Sequence, residues 1–136
     1  MAWLPDTNVW IGILKQPGGK LEQAILSHPP DHISLCSVVK AELWHGAQKY
    51  GRTDRRLSAL AELFAGFASL PFDDKAAWHY AEIRHQLELA GCVIGPNDLK
   101  IAAICRANDL TLVSSNTNEF ARVVDLKIED WLAAAP

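Results

Sequence analysis

The amino-acid sequence predicts an α/β protein in which a central, mainly parallel sheet carries helices on both faces. Short apolar or alternating runs at Trp3-Leu4, Ile33-Ser34-Leu35-Cys36 and Thr111-Leu112-Val113 read as strands, with helical patterns between them. The segment after Pro96, with Ile101, Ala102, Ala103, Ile104, Cys105 and Ala107, is apolar nearly all round, as a helix buried in the interior must be. Strands that alternate with helices are joined by crossovers, which makes them parallel and covers both sides of the sheet.

Residues 2–6 are the first expected strand. Pro5 lacks the amide that a central strand uses in pairing, so this strand should end at Leu4 or carry a local irregularity. Val9 to Leu14 is the first helix, and Leu21 to Ser27 the second, halted by Pro29-Pro30. After the strand at 33–36, Ser37 is a good N-cap for a helix in which Val39, Leu43, Ala47 and Tyr50 form one apolar stripe. Gly46 in that helix costs roughly 1 kcal/mol relative to alanine, which suggests close approach by another element. Leu57 to Phe67 continues helical, with Leu60, Leu63 and Phe64 on one side. Asp73 or Asp74 caps a longer helix reaching about Ala90, and Gly91 stops it. Pro96 suits the first turn of the next helix. Thr111-Leu112-Val113 is a strand, and Val123-Val124 with Lys127-Ile128 finishes the sheet. With no repeat, low-complexity tract or linker, residues 1–136 read as one domain.

Composition narrows the function classes. Hydrophobic content of 49% with 21% charged residues is that of a globular chain. No apolar run is long enough to span a bilayer, and Met1-Ala2-Trp3-Leu4-Pro5-Asp6 does not read as a secretory leader. Cys36, Cys92 and Cys105 are odd in number and lack C-x-x-C spacing, so they read as reduced core thiols and the protein as cytoplasmic. A net charge of -3 argues against a general nucleic-acid coating protein, though not against a nuclease, whose metal site concentrates carboxylates. Lys49, Arg52, Arg55 and Arg56 form a local basic cluster, either a solvated helix face or a track for RNA. Trp3, Trp10, Trp44, Trp78 and Trp131 could stack on bases, but aromatic residues at apolar helical positions are more often core or dimer interface.

The candidate chemistry lies at polar positions that follow apolar segments. Asp6 ends the first strand and opens Asp6-Thr7-Asn8, and open α/β sheets bind ligands at the carboxyl ends of their strands. Glu42 lies in Ser37-Val38-Val39-Lys40-Ala41-Glu42-Leu43, Asp98 in Pro96-Asn97-Asp98-Leu99, and Asn116 follows Leu112-Val113-Ser114-Ser115. Each acid alone has a modest reading: Asp6 as a helix cap, Asp98 as a complement to a helix dipole. Together, gathered carboxylates repel and raise one another's pKa unless a cation is present, and oxygen ligands suit Mg²⁺ or Mn²⁺.

Other chemistries fit less well. Glu42-Leu43-Trp44-His45 and Glu82-Ile83-Arg84-His85 are both Glu-x-x-His, part of a di-iron bundle pattern. That fold needs four long helices, and this chain is broken repeatedly by Pro and Gly. A phosphatase Asp-x-Asp would need an acid where Asn8 stands. No nucleophile elbow or Gly-rich phosphate loop is present.

The segments Asp6-Thr7-Asn8, Ser37…Glu42-Leu43, Pro96-Asn97-Asp98-Leu99…Ile101-Ala102-Ala103 and Leu112-Val113-Ser114-Ser115-Asn116-Thr117-Asn118-Glu119-Phe120 resemble, in order, the motifs of PIN-domain ribonucleases. The similarity is greatest to the VapC toxins of bacterial type II toxin–antitoxin pairs. It implies a PIN-like three-layer α/β/α fold and an Mg²⁺- or Mn²⁺-dependent endoribonuclease acting on structured RNA, with transfer RNA the leading candidate. It implies Asp6, Glu42 and Asp98 as catalytic acids and metal ligands, and Asn116 as a ligand at a position that is often aspartate. Thr7, Asn8 and Glu119 would support the ligands. An antitoxin and a second copy of the chain are the implied partners. The contrasting expectation is a PIN-like module that binds RNA or a partner without cutting.

Overall fold

The computed structural model describes residues 2–133, so the expected domain range of 1–136 extends past it at both ends. Strand β1 (Trp3–Pro5) leads into helices α1 (Thr7–Lys15) and α2 (Lys20–Leu26). Strand β2 (Ser34–Cys36) runs directly into α3 (Ser37–Lys49), followed by α4 (Thr53–Ala65) and β3 (Ala68–Leu70). The long α5 (Asp74–Ala90) and α6 (Pro96–Ala107) precede β4 (Thr111–Val113), the short α7 (Thr117–Phe120) and β5 (Ile128–Glu129).

Among the described residues all strand pairs are parallel. β1, β4 and β5 form one ladder and β2 with β3 another, joined by a single bridge between Trp3 and Ile33. The resulting order is β3-β2-β1-β4-β5, so the chain winds one way from β1 and then returns to wind the other way from β4. The carboxyl ends of β1 and β4 are therefore the switch point, where open sheets leave a crevice for ligands. Thr111, Leu112 and Val113 are all buried although successive strand residues face opposite sides, so both faces of the sheet are covered.

Pro5 explains why the sheet divides. The Thr111 amide donates to Ala2 O and the Asp6 amide to Val113 O, so alternate residues of β1 bond to β4 and Pro5 faces β2. Of the two expected outcomes the local irregularity is the one found: Pro5 remains in the strand, in register with Val113, and pairing on its other side is interrupted. Its missing amide cannot extend the β1–β2 ladder past Trp3. Its carbonyl instead accepts a hydrogen bond from Trp10 Nε1 at 3.2 Å, which satisfies the polar end of a fully buried indole.

Several boundaries differ from the sequence reading. α1 begins at Thr7 because the Asp6 side chain caps it through the Val9 amide. Cys36, not Ser37, is the cap residue of α3, since β2 passes into the helix without a turn and Ser37 is already helical. α4 ends at Ala65, and Ala68–Leu70, which has no alternating apolar signal of its own, is a strand paired with β2. The closing strand is only Ile128–Glu129, and Val123-Val124 precede it outside the sheet. A Cβ added at Gly46 would meet nothing within 4 Å, so no element approaches closely there. Gly12 has the close approach instead, with Leu21 Cδ1 2.7 Å from where a Cβ would lie. Trp10 is core, whereas Trp44 and Trp78 are 43% and 61% exposed. Trp3 and Trp131 flank His28, with the His28 and Trp131 rings stacked at 4.7 Å.

As expected, α6 is the most deeply set helix, with seven buried residues, Ile101 to Cys105 among them. Cys36 and Cys105 are buried free thiols and Cys92 is half-buried. No described helix is long and apolar enough to cross a membrane. Ile104→Ala should lower the unfolding free energy by roughly 2–5 kcal/mol through lost transfer energy and a residual cavity. The exposed Leu89→Ala should change it by no more than about 0.5 kcal/mol. Urea denaturation of both variants measures the contrast.

Candidate active site

Asp6 stands at the switch point and is only 4% exposed. Its Oδ1 accepts from the Val9 amide at 3.0 Å and its Oδ2 from Ser114 Oγ at 2.6 Å. Each carboxylate oxygen thus has one donor, one from the helix that follows β1 and one from the end of β4. Burial nevertheless raises the Asp6 pKa, and the Glu42 charge adds to the rise. The Ser114 and Val9 hydrogen bonds oppose it.

The other acids arrive from separate segments. Glu42 projects from the second turn of α3, where its Oε1 accepts from Thr7 Oγ1. Asp98 lies in the first turn of α6. Its carboxyl is pushed up to about 6, first by burial and then by the charges of Asp6, Glu42 and Glu119. Sequence positions more than a hundred residues apart therefore share one electrostatic environment. Among the described residues, however, no three carboxylate, imidazole or thiolate groups are grouped closely enough to hold an ion between them. The donor set suits a hard divalent cation by its chemistry, being all oxygen and rich in like charge. It is not closed around a single point.

Asn116 and Glu119 act as a pair. Asn116 Nδ2 donates to Glu119 Oε2 at 2.9 Å, and the Asn116 amide donates to Ser114 Oγ at 2.9 Å. The fully buried Phe120 anchors the short helix that carries Glu119. The amide group of Asn116 is thus engaged in holding an acid whose charge reaches Asp98. Asn8 is exposed.

Ser114 had no assigned role in the sequence reading. Its signal was positional: in a parallel pair with Pro5 opposite Val113, the next residues on the two strands are Asp6 and Ser114. Lys49, Arg52, Arg55 and Arg56 do not share one helix face, because they straddle the α3–α4 turn, with Arg52 in the left-handed conformation at φ 49°. Lys49 Nζ lies over the Tyr50 ring, 5.3 Å from its centroid. Arg55 and Arg56 line a groove that reaches Glu42.

The raised Asp98 pKa makes stability depend on pH. A carboxyl that holds its proton more tightly when folded stabilises the fold below its unfolded value near 3.8 and loses that contribution as pH rises through about 6. In metal-free solution Asp98→Asn should match the wild type near pH 4 and melt higher at pH 7. With the site partly open to solvent, the difference should be on the order of 1 kcal/mol. Thermal melts across pH 4–7 in EDTA test the sign.

The whole chain is similar to known proteins in sequence and in fold. A model of the PIN domain family matches residues 3–126. The chain is 35% identical over 132 residues to the tRNA(fMet)-specific endonuclease VapC of Shigella flexneri, covering 96% of this chain and 98% of that one. It is 33% identical over 132 residues to Ribonuclease VapC2 of Rickettsia felis, again covering 96% and 98%. The crystal structure of DNA-bound VapBC from Salmonella typhimurium matches with a TM-score of 0.91 at 28% identity, over 96% of this chain and 98% of that chain. With the family match, the full-length relatives and the shared fold in agreement, the chain belongs to the PIN-domain family and, within it, to the VapC-type ribonuclease toxins of type II toxin–antitoxin systems.

Proposed function

We propose that this protein is a divalent-metal-dependent endoribonuclease that cleaves structured RNA, with transfer RNA the favoured substrate class. The observation that carries the reading is the convergence of separate segments on the buried Asp6, where partial burial and the charges of Asp6, Glu42 and Glu119 together raise Asp98 to about 6. A cluster of like charges costs stability without a cation and acquires a purpose with one. Asp6, Glu42 and Asp98 would hold Mg²⁺ or Mn²⁺. A divalent ion bound there supplies Lewis acidity for phosphodiester hydrolysis.

The protein's own groups prepare the site. The Val9 amide and Ser114 hydroxyl fix both oxygens of Asp6, so this carboxylate is oriented before any ligand arrives. Thr7 does the same for one oxygen of Glu42. Glu119 is the better candidate for the fourth acid, with Asn116 acting through it as a positioning residue. Asp98 keeps its proton up to about pH 6 in the metal-free state, so ion binding must displace that proton and affinity should fall as pH drops through this value. The partners on this reading are a cognate antitoxin and a second copy of the chain, in the cytoplasm.

Asn116 is the one neutral residue where the family resemblance often has an acid, and it favours the alternative of a non-cutting binding module. The two readings separate on total RNA. Asp6→Asn, Glu42→Gln and Asp98→Asn should each reduce Mg²⁺- or Mn²⁺-dependent cleavage by at least 100-fold, on the order of 3 kcal/mol in transition-state stabilisation, with the fold retained. Undiminished cleavage in EDTA would rule out the metal mechanism, and RNA bound but uncut by the wild type would favour the binding module. Expression of the chain alone should arrest growth, and its cognate antitoxin should restore it. Asn116→Asp should tighten Mn²⁺ binding if its carboxylate joins the ion's ligands. Calorimetry that finds affinity and stoichiometry unchanged would leave Asn116 as a group acting on Glu119 alone.

A further inference from the structure

A groove of about 810 Å³ opens beside Glu42 and runs along α3 between α1 and α4. Glu42, Gly46 and Tyr50 lie on one face of α3 by their spacing of four, with Tyr50 at its C-cap. The eight helical steps from Glu42 to Tyr50 span ~12 Å, roughly three nucleotides at the ~3.4 Å stacked spacing. The floor is apolar, from Ile11, Leu14, Leu43 and Leu60. Lys15, Arg55 and Arg56 complete the lining.

We propose that this groove is the track for the single-stranded RNA adjoining the scissile phosphate, with bases on the apolar floor and Tyr50, and phosphates on Lys15, Arg55 and Arg56. The assignment rests on the ribonuclease reading and specifies where its substrate lies.

Four observations support it. The cations are unspent: the ion pairs among the described residues are Arg84–Glu88, Arg106–Glu82 and Lys127–Asp109, none of which involves the groove. Arg56 is held by its Nε, which donates to the Gly51 carbonyl at 3.0 Å, and this leaves its terminal nitrogens for a phosphate. Gly46 keeps the passage clear one turn beyond Glu42, since a Cβ there meets nothing within 4 Å. Tyr50 is 64% exposed and offers an aromatic surface on which any base can stack. The charge runs from acid at Glu42, where the cleaved phosphodiester must meet the catalytic acids, to cations farther along. In a chain of net charge -3 such a local concentration suits a polyanion that enters the acidic site at one point only. A protein segment would also be received by the apolar floor, but the unpaired cations and the opening onto Glu42 favour RNA.

The test uses the full chain and a fluorescent single-stranded RNA 12-mer, with binding followed by anisotropy in EDTA and cleavage followed separately with Mg²⁺. Lys15→Gln/Arg55→Gln/Arg56→Gln should weaken binding at least tenfold and flatten the slope of log Kd against log salt by about 2, as expected for three lost single-strand phosphate contacts. Gly46→Leu should also weaken binding at least tenfold without lowering Tm. Both should raise KM for RNA cleavage far more than they lower kcat. Arg84→Gln, on α5, is the control and should bind as the wild type does. Unchanged Kd and salt slope in the triple variant, with Tm retained, would overturn the proposal. Wild-type KM in groove variants that have lost only antitoxin binding would also overturn it, and would assign the groove to a protein partner. Loss of RNA binding in the groove variants of a wild type that cuts no RNA would keep the track and sink the ribonuclease reading.

Discussion

The carboxylate of Asp6 is the constraint on which the rest of the site depends. A buried charge without partners would cost several kcal/mol, so this position demands donors on both oxygens. They come from the first turn of α1 and from the end of β4. Ser114, which supplies one of them, is itself fixed from two sides: its hydroxyl accepts from the Asn116 amide, and its own amide donates to Glu129 O on β5. One side chain thereby ties β1, α1, β4, β5 and the turn into α7 to the same point.

The strand order makes that convergence possible. Because β1 and β4 are neighbours, residues separated by most of the chain end their strands side by side, and the helices that follow begin at the same edge. α6 then brings Asp98 in from a helix so deeply buried that its position is set by core packing. The acid most strongly raised in pKa is therefore carried by one of the most firmly held elements of the fold. Mutual repulsion among the acids opposes folding, and the apolar burial around α6 and β4 opposes their separation. The site is held in a charged state that a cation would relieve.

Pro5 has a related role. By ending the ladder between β1 and β2 it turns its carbonyl to Trp10, and α1 is pinned against the strand immediately before it through the hydrogen bond of a buried indole. The same helix supplies Asp6 with its capping amide, Glu42 with the Thr7 hydroxyl and the groove with one wall. The interruption that looked like a defect of the first strand thus belongs to the arrangement that holds α1 in place.

Much of this was legible from the sequence. Periodicity and breakers located the main helices, the all-round apolar pattern after Pro96 identified the buried helix, and acids following apolar segments marked Asp6, Glu42 and Asp98. These are local signals, since a helix stripe or a cap depends on residues a few positions apart. Ala68–Leu70 was not legible as a strand, because its edge residues are largely exposed and only pairing with β2 makes them one. Gly46 was misread for the same reason: one sequence cannot distinguish a glycine required by a close neighbour from one beside open space. The sequence by itself determined the class of fold and supplied the acids that the fold brings within electrostatic reach of one another. The tertiary structure alone decided that Ser114 serves Asp6, that Asn116 holds Glu119, and that cations without an ion pair among the described residues line a groove leading to Glu42, because each depends on distances that only the packed sheet and helices define.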